Sequence, residues 1–420
     1  MTAPTSAESP TSTSPTSSTT ATSSTTVAAR GLRIAMVGQK GVPATIGGVE
    51  HHVEEIGSRL AARGHDVLVY SRSSYSDLPV GSRYRGMQVV SAPTIGTKHL
   101  DAIVHSAASA VKAIAAGVDI VHFHALGPGL ASPLPRYLSA AKVVLTVHGL
   151  DNTRDKWGRV ARTVLDTAHW MSGHVPDRTV VVSRELQEHY RTTFGAEAAY
   201  ITNGVAAPAR VCGTDVVQRL GLVPAGYAMF VGRLVPEKRP DLLIRAFRAT
   251  DLDRQLAIVG SSSFTDSFTA HLRDLAGNDP RIVFTGFVGG SDLHAVFQNA
   301  SLVVQPSDVE GLPLTLLEAV AHGCHVLASD IGPHREVIGD KTIGLHRVFP
   351  RGDQAALQAA LLEPVTGDGW DDPARDRVLE HYSWDRAALQ LEDLYVDVVG
   401  PAKGRRFSLP RPGRTSGTTP

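Results

Sequence analysis

The sequence predicts an α/β fold in which two doubly wound, Rossmann-like domains face each other across a cleft. The chain has 420 residues, and at roughly 100–200 residues per domain this length suggests two or three domains. Short strands that are apolar on both faces alternate with helical stretches, which is typical of parallel sheets covered by helices on both sides. The same alternation starts again near residue 228.

The first series of elements begins with an apolar run at residues 33–38, which ends in glycine and predicts a buried strand. Val49, Val53, Ile56 and Leu60 follow at spacings of four, three and four, so they lie on one face of a helix predicted over residues 47–63. A second helix is predicted around residues 99–116. Further strands are predicted at residues 66–70, 87–90, 119–123, 142–147, 179–182 and 199–201.

The second series begins with a strand predicted at residues 228–231 and a helix at about 239–249. Strands follow at residues 255–259, 282–284, 302–305 and 325–328, with helices around residues 265–276, 291–298 and 313–322. Residues 384–398 form an amphipathic helix that needs a surface to pack on, and the first domain can supply one. The domains are therefore predicted at residues 31–206 and 207–383, with residues 384–400 as a helix that packs back on the first domain.

The two ends differ in composition from this body. Residues 1–26 contain 18 Ser or Thr and three Pro, so residues 1–30 are predicted to be a disordered tail. Residues 401–420 carry no acid and a charge of +5, so the body at residues 31–400 carries −5 in a chain of zero net charge. That basic tail is either simply solvated or weakly attracted to an anionic membrane surface. Its basic residues are Lys403, Arg405, Arg406, Arg411 and Arg414.

Composition excludes several classes of protein. Zero net charge argues against a nucleic-acid partner, which requires a strong basic excess. Two cysteines, Cys212 and Cys324, exclude a disulfide framework. We find neither an apolar run of 18 residues nor the basic and apolar regions of a secretory leader. The expected location is therefore the cytoplasm, with contact at the inner membrane face left open by the basic tail.

Two glycine-containing loops follow predicted strands. The first runs from Gly38 and includes Gly47 and Gly48 just before a helix, where backbone N–H groups can approach an anion. A tight turn that binds nothing explains this loop equally well. The second contains Gly232, Arg233 and Lys238, and its two cations could clamp a diphosphate. Taken alone, a solvated basic loop is the slightly better interpretation.

The most informative segment is residues 305–319. Glu310 follows a predicted strand, and Glu318 lies eight residues later in an apolar helix, with Pro313 expected as the first helical residue. A carboxylate among apolar residues costs stability unless it is satisfied, and sugar hydroxyls are suitable donors. The N–H groups after Gly311 can receive an anion or a hydroxyl. This segment therefore favours a functional interpretation.

One histidine is selected by its position. His148 comes directly after a predicted strand, where a side chain would face the cleft. His122 and His124 share one face of another strand and are more typical of core or surface histidines than of metal ligands. No His-x-x-x-His or Cys-x-x-Cys pattern indicates a metal site, and none is expected.

These motifs resemble those of retaining GT-B glycosyltransferases of family 4, from about residue 33 to residue 398. Glu310 and Glu318 match that family's Glu-x7-Glu motif, and residues 232–238 match its phosphate-binding loop. Residues 203–205 match its interdomain turn, and residues 47–50 match its N-terminal glycine loop. Residues 38–43 resemble the N-terminal domain of rhamnosyltransferase-like members.

The resemblance implies a role for each residue. Arg233 and Lys238 would bind the diphosphate of a nucleotide sugar, Glu318 the ribose, and Glu310 the hydroxyls of the donor sugar. His148 would contact the donor sugar from the first domain. The remaining donor-binding residues would act through the backbone or by leaving room: Gly47, Gly48, Gly232, Gly311, Leu312 and Leu314.

The resemblance also implies the reaction. A hexosyl group would pass with retention to a glycan or lipid-linked acceptor, without a metal or any cofactor besides the nucleotide sugar as co-substrate. Two alternatives remain open: a sugar-nucleotide 2-epimerase of the same fold, and a non-catalytic protein that binds nucleotide sugars.

Overall fold

The computed structural model describes residues 31–45, 47–75, 78–94, 100–150, 159–210, 213–261, 266–339, 345–367 and 369–400. The predictions for the tails at residues 1–30 and 401–420 lie outside these residues, as does Cys212. No helix within the described ranges is long and apolar enough to cross a membrane.

The first domain is built on a sheet of eight strands in the order β3-β4-β2-β1-β5-β6-β7-β8, all parallel except β3 against β4. The strands are β1 (Arg33–Val37), β2 (Asp66–Arg72), β3 (Arg83–Tyr84), β4 (Met87–Ala92), β5 (Ile120–His124), β6 (Lys142–Val147), β7 (Arg178–Val181) and β8 (Ala199–Tyr200). Its helices are α1 (Gly48–Ala62), α2 (Leu100–Ala115), α3 (Leu126–Gly129), α4 (Pro133–Leu138), α5 (Arg159–His174) and α6 (Arg184–Phe194).

The second domain is built on a parallel sheet of six strands in the order β11-β10-β9-β12-β13-β14. The strands are β9 (Tyr227–Val231), β10 (Gln255–Val259), β11 (Ile282–Gly286), β12 (Leu302–Gln305), β13 (Val326–Ser329) and β14 (His346–Phe349). The helices after the first sheet are α7 (Asp215–Arg219), α8 (Pro240–Arg248), α9 (Asp266–Ala276), α10 (Gly290–Gln298), α11 (Leu314–Ala321), α12 (Gly332–Ile338), α13 (Gln354–Leu362), α14 (Pro373–His381) and α15 (Trp384–Val399).

Both sheets reverse their strand order next to their first strand. In the first sheet the chain moves outward from β1 and then returns to β5 on its other side, and in the second it does the same at β9 and β12. The central strands are buried on both faces, as Ile34 to Val37 and Ala228 to Phe230 illustrate with no exposed surface. Two Rossmann-like α/β sheets confirm the predicted fold class. Loops at the carboxyl ends of strands beside such a reversal are where ligands bind in this architecture.

Helix α15 packs against α1 of the first domain. Trp384, Leu391 and Tyr395 are buried in the core cluster that contains β1 and α1 residues. Arg59 on α1 pairs with Asp385 on α15 at 2.6 Å. Apolar burial on one face and ion pairs at the rim therefore hold this last helix against the first domain.

Helix α11 begins one residue later than the sequence suggests. Pro313 was expected at the first helical position, but it precedes the helix in extended conformation, with φ −77° and ψ 110°, and Leu314 is the first helical residue. Most other predicted bounds differ by one or two residues. No bounds were predicted for helices α3 to α7 and α12 to α14 or for strands β3 and β14. The two strands are short, with two and four residues.

Candidate functional site

A largely buried ion pair lies at the strand reversal of the second sheet. Lys238 ends a short 3-10 turn that follows β9, and Glu310 lies in the loop between β12 and α11. Lys238 Nζ donates to Glu310 Oε1 at 2.7 Å, and the two side chains are 14% and 11% exposed. Ser307 Oγ donates to the same oxygen at 2.7 Å. Burial alone would raise the pKa of Glu310, but the Lys238 charge and these bonds hold it below its ordinary value.

A second ion pair joins the same two loops. Arg239 Nη1 donates to Asp308 Oδ2 at 2.8 Å, and the Asp308 N–H donates to the Glu237 carbonyl oxygen at 2.9 Å. By contrast, Arg233 is exposed, and no ion pair to it occurs within the described part of the chain. Sequence reasoning missed Arg239, whose only signal is its place next to Lys238. The structure therefore leaves Arg233 as the free cation of this loop.

Glu318 lies in the middle of α11, on the helix that begins just after Glu310. Burial raises the pKa of Glu318 to about 7. In the portion of the chain that the structure describes, its carboxylate has no hydrogen bond or ion pair. The helix presents Leu316, Leu317 and Ala319 to the core instead. A carboxylate so placed is available to accept bonds from a ligand, because the fold itself does not satisfy it.

The loop after Glu310 reaches the first domain. A Cβ atom on Gly311 would lie 1.8 Å from the carbonyl oxygen of His148, so only glycine fits there. Leu314 Cδ1 lies 3.4 Å from the position of a Cβ on Gly48. Leu312 is buried. These contacts place the Glu310 loop against the carboxyl ends of the first sheet, so the two strand reversals face each other.

The two glycine loops lie next to different side chains: Gly47 lies next to Glu50, and Gly232 lies next to Lys238. Gly47 precedes α1 at φ 121°, and a side chain there would collide with the Glu50 carboxylate. Glu50 in turn accepts from the Lys40 N–H at 3.1 Å. Gly232 directly follows β9, and its α-carbon faces the stem of Lys238, since a Cβ would lie 3.2 Å from Lys238 Cδ. The second loop therefore keeps space open beside the Lys238–Glu310 pair.

Three histidines surround one point at the carboxyl ends of the first sheet. His124 Nδ1 and His148 Nε2 are 3.3 Å apart, and one nitrogen from each of His52, His124 and His148 lies within 4.8 Å of the others. Burial lowers the pKa of all three rings, that of His52 to about 4, so they are neutral at pH 7. They are the one group in the described ranges with three close His, Cys, Asp or Glu ligand atoms.

Neighbouring polar groups fix two of the histidine rings in this region. His52 Nδ1 meets Asn203 Oδ1 at 2.9 Å, and Asn203 Nδ2 donates to the Leu312 carbonyl oxygen at 3.2 Å. His122 Nδ1 and Nε2 meet Tyr395 Oη at 2.6 Å and Thr146 Oγ1 at 2.7 Å. His122 is a satisfied core histidine, as the sequence indicated. His52 was missed, because it lies on α1, more than 70 residues before its neighbours.

The structure brings most of the sequence-predicted residues to one cleft. Gly232, Lys238 and Glu310 lie together in the second domain, and Gly311 and Leu314 contact His148 and Gly48 across the cleft. Arg233 is exposed at the edge. Glu318 lies further along α11, with no direct bond to the others.

Comparison with known proteins follows this division of the chain. The model described as Glycosyltransferase Family 4 matches residues 46–207, and the model described as Glycosyl transferases group 1 matches residues 223–373. Each model covers one of the two domains.

Curated relatives extend over most of the chain. A D-inositol 3-phosphate glycosyltransferase of Corynebacterium aurimucosum is 26% identical over 88% of this chain and 96% of its own length. A GDP-mannose-dependent alpha-(1-6)-phosphatidylinositol monomannoside mannosyltransferase of Mycolicibacterium smegmatis is 29% identical over 84% of this chain and 95% of its own. Among solved structures, Anabaena HepE in complex with UDP and glucose superposes with a TM-score of 0.70 at 16% identity, covering 87% of this chain and 100% of that one.

Proposed function

We propose that this chain, a glycosyltransferase of the GT-B type that uses nucleotide sugars, transfers a hexosyl group with retention to a glycan or lipid-linked acceptor. The observation that carries this proposal is the largely buried Lys238–Glu310 pair at the strand reversal of the second sheet, facing His148 across the cleft. The diphosphate of the donor would lie beside Lys238, and its sugar would point toward the first domain.

The Lys238–Glu310 pair offers a cation for the donor's diphosphate and a carboxylate oxygen for the hydroxyls of its sugar. Glu310 accepts from Lys238 and Ser307 through the same oxygen, Oε1, so its other oxygen is left to accept from hydroxyls of the donor sugar. Lys238 and the exposed Arg233 would bind the diphosphate and stabilise its charge as the glycosidic bond breaks. The N–H groups of Leu312 and Leu314, next to Gly311, would help hold the donor.

Glu318 would bind the ribose. Its carboxylate is unsatisfied in the described structure, and the two ribose hydroxyls are the donors that such a group requires. The 29% identical relative is named for its dependence on GDP-mannose, and HepE was solved with UDP. Both names support a nucleoside-diphosphate sugar as the donor. The screen described below identifies its nucleobase.

The first domain would supply the acceptor side. His148 would contact the donor sugar, and Gly47 and Gly48 would leave room for the phosphates and the acceptor. The names of the two curated relatives include an inositol phosphate and a phosphatidylinositol mannoside, which supports a polyol or lipid-linked acceptor. We place the reaction in the cytoplasm, with the basic tail at residues 401–420 available for contact with an anionic membrane.

The proposed step uses no metal and no covalent enzyme intermediate. The bond between the anomeric carbon and the diphosphate oxygen breaks, and the acceptor oxygen bonds to that carbon on the same face. The acceptor proton passes to the departing diphosphate. Lys238 and Arg233 stabilise the charge that develops on that leaving group, so the protein's contribution is positioning and electrostatics.

A screen of nucleotide sugars tests the donor. A donor that binds the native state raises the melting temperature in line with its concentration over its Kd. Candidates that stabilise the protein are then incubated with and without an acceptor mixture, and products are analysed by mass spectrometry and NMR. We expect acceptor-dependent transfer with an unchanged anomeric configuration. A change of configuration at C2 of the sugar without an acceptor would contradict transfer and indicate epimerisation, and an inverted anomeric product would contradict retention.

Two substitutions test the site. We expect Lys238→Ala and Glu318→Ala each to abolish transfer, because one removes the charge beside the diphosphate and the other the ribose acceptor. Lys112→Ala and Glu188→Ala are matched controls, since both residues lie away from the cleft and Glu188 pairs with the surface residue Arg191. Circular dichroism checks that each variant is folded. Near-normal turnover in either cleft variant would refute the assignment.

A further inference from the structure

The three-histidine group at the carboxyl ends of the first sheet has the spacing of a metal site. The ring centres of His52, His124 and His148 lie 4.7, 5.5 and 5.6 Å apart. Three imidazoles on a tetrahedral zinc ion at a Zn–N distance of about 2.0–2.1 Å have nitrogens roughly 3.4 Å apart and ring centres about 5 Å apart. His124 Nδ1 and His148 Nε2 are already 3.3 Å apart.

Hydrogen bonds set the tautomer of His52 for coordination. Asn203 Nδ2 donates to the Leu312 carbonyl, which leaves Asn203 Oδ1 facing His52 as an acceptor. His52 Nδ1 must therefore carry the proton, and Nε2 is left with a lone pair. That nitrogen is buried and has no partner in the described structure. An outer N–H donated to an amide oxygen is the arrangement that orients a histidine ligand and raises its basicity.

His124 can present its Nδ1 in the same way. Coordination through Nδ1 requires the proton on Nε2, where Met36 Sδ lies 3.4 Å away and can accept it. The lone pair of Nδ1 then points to His148. His148 is partly exposed, so the centre of the group can be reached from the cleft, while His52 and His124 close it from below.

We propose that His52, His124 and His148 bind one divalent transition-metal ion of the zinc class, with a fourth position open to the cleft. Neutral imidazoles favour zinc, copper and nickel over magnesium or calcium, which prefer oxygen ligands. Binding requires His148 to present the lone pair of Nε2 and to carry its proton on Nδ1. Because the proposed function assigns His148 to the donor sugar, an ion held there blocks transfer and acts as an inhibitor.

Metal binding is measured on the full chain without any substrate, so its outcome does not depend on the proposed function. After treatment with chelator and desalting, we expect one Zn²⁺ per chain in competition with a chromogenic chelator, and no displacement of that Zn²⁺ by millimolar Mg²⁺. Co²⁺ should give the strong visible absorption of a tetrahedral site. Absence of stoichiometric Zn²⁺, or the weak absorption of octahedral Co²⁺, would overturn the proposal.

Variants locate the ion. His52→Ala should weaken Zn²⁺ binding by more than roughly 100-fold, and Asn203→Ala, which removes the hydrogen-bond partner of His52 but none of the three ligands, by about 10–100-fold. His189→Ala is the matched control, since His189 and His169 form another histidine pair with nitrogens 3.0 Å apart. If His52→Ala does not fold, the partly exposed His148→Ala replaces it. Unchanged affinity in the ligand variant, or an equal loss in His189→Ala, would refute the site.

Transfer assays test the inhibitory consequence separately. Activity of the wild-type protein should fall in proportion to Zn²⁺ occupancy and return with chelator. Stoichiometric binding without any loss of transfer would overturn the inhibitory part. If no transfer is found with any donor, the proposed function fails, while the binding experiment still decides the metal site.

Discussion

Glu318→Gln provides a test of the half-buried Glu318 carboxylate that is independent of the substrate. The pKa of Glu318 is about 7 in the folded protein against 4.5 for an ordinary glutamate, because burial disfavours its charged form. The folded state therefore binds this proton more tightly than the unfolded state does. The contribution of Glu318 to stability is fully present below pH 4.5 and is lost as the pH rises to about 7. At 1.36 kcal/mol per pKa unit, the loss is about 3 kcal/mol.

Glutamine stays neutral and has nearly the same shape, so the variant should lack this loss. We expect Glu318→Gln to be more stable than wild type by up to about 3 kcal/mol at pH 8, relative to the difference between the two proteins at pH 4.5. Urea unfolding of both proteins from pH 4.5 to 8.5 measures this difference, and equal m-values check that the same surface unfolds. A stability difference that does not change with pH, or that changes in the opposite direction, would refute the raised pKa of Glu318.

Two further changes test the cleft and the last helix. Gly311→Ala places a methyl group 1.8 Å from the His148 carbonyl oxygen, so we expect transfer to fall by about 100-fold because the Glu310 loop and the first domain are displaced from each other. Gly213→Ala, where a Cβ meets nothing within 4 Å, is the control, and equal activity of both variants would contradict the contact. Tyr395→Phe removes the hydroxyl that lies 2.6 Å from His122 Nδ1. Because that buried nitrogen is then unsatisfied, we expect the free energy of unfolding in urea to fall by about 1–3 kcal/mol. An unchanged urea midpoint would mean that the hydrogen bond contributes nothing to stability.

The fold was predictable because buried parallel strands have a simple signature. Residues 142–147, 255–259 and 302–305 were predicted with the bounds that β6, β10 and β12 have in the structure. Each is a short apolar run buried on both faces, so it can be recognised without any alternation of polar and apolar residues. Helix α5 and strand β14 lack such a signal. Helix α5 is polar over much of its length, and β14 is an edge strand of four residues with only its ends buried.

The candidate site was predictable only where its residues are close in sequence. Glu310 and Glu318 are eight residues apart, and together with Gly311 and Pro313 they favoured a functional site. The loop with Gly232 and Lys238 gained a binding role only from the resemblance to family 4. The strand order then had to bring those two loops together, which no local pattern shows. His52 lies on α1 and meets His148 only because β1 and β5 are neighbours in the sheet, with β6 next in order. Contacts of that kind depend on the fold rather than on any motif.

Asn203 connects the two parts of the cleft that sequence reasoning treated separately. Its amide accepts from His52 and donates to the carbonyl of Leu312, which lies two residues after Glu310. One side chain therefore sets the tautomer of a first-domain histidine and holds the loop that carries the donor-side carboxylate. An amide offers one oxygen and one nitrogen, so it can satisfy both neighbours in a single orientation only. The position of the Glu310 loop and the lone pair of His52 are thus coupled, and a change at residue 203 should alter both metal affinity and donor binding.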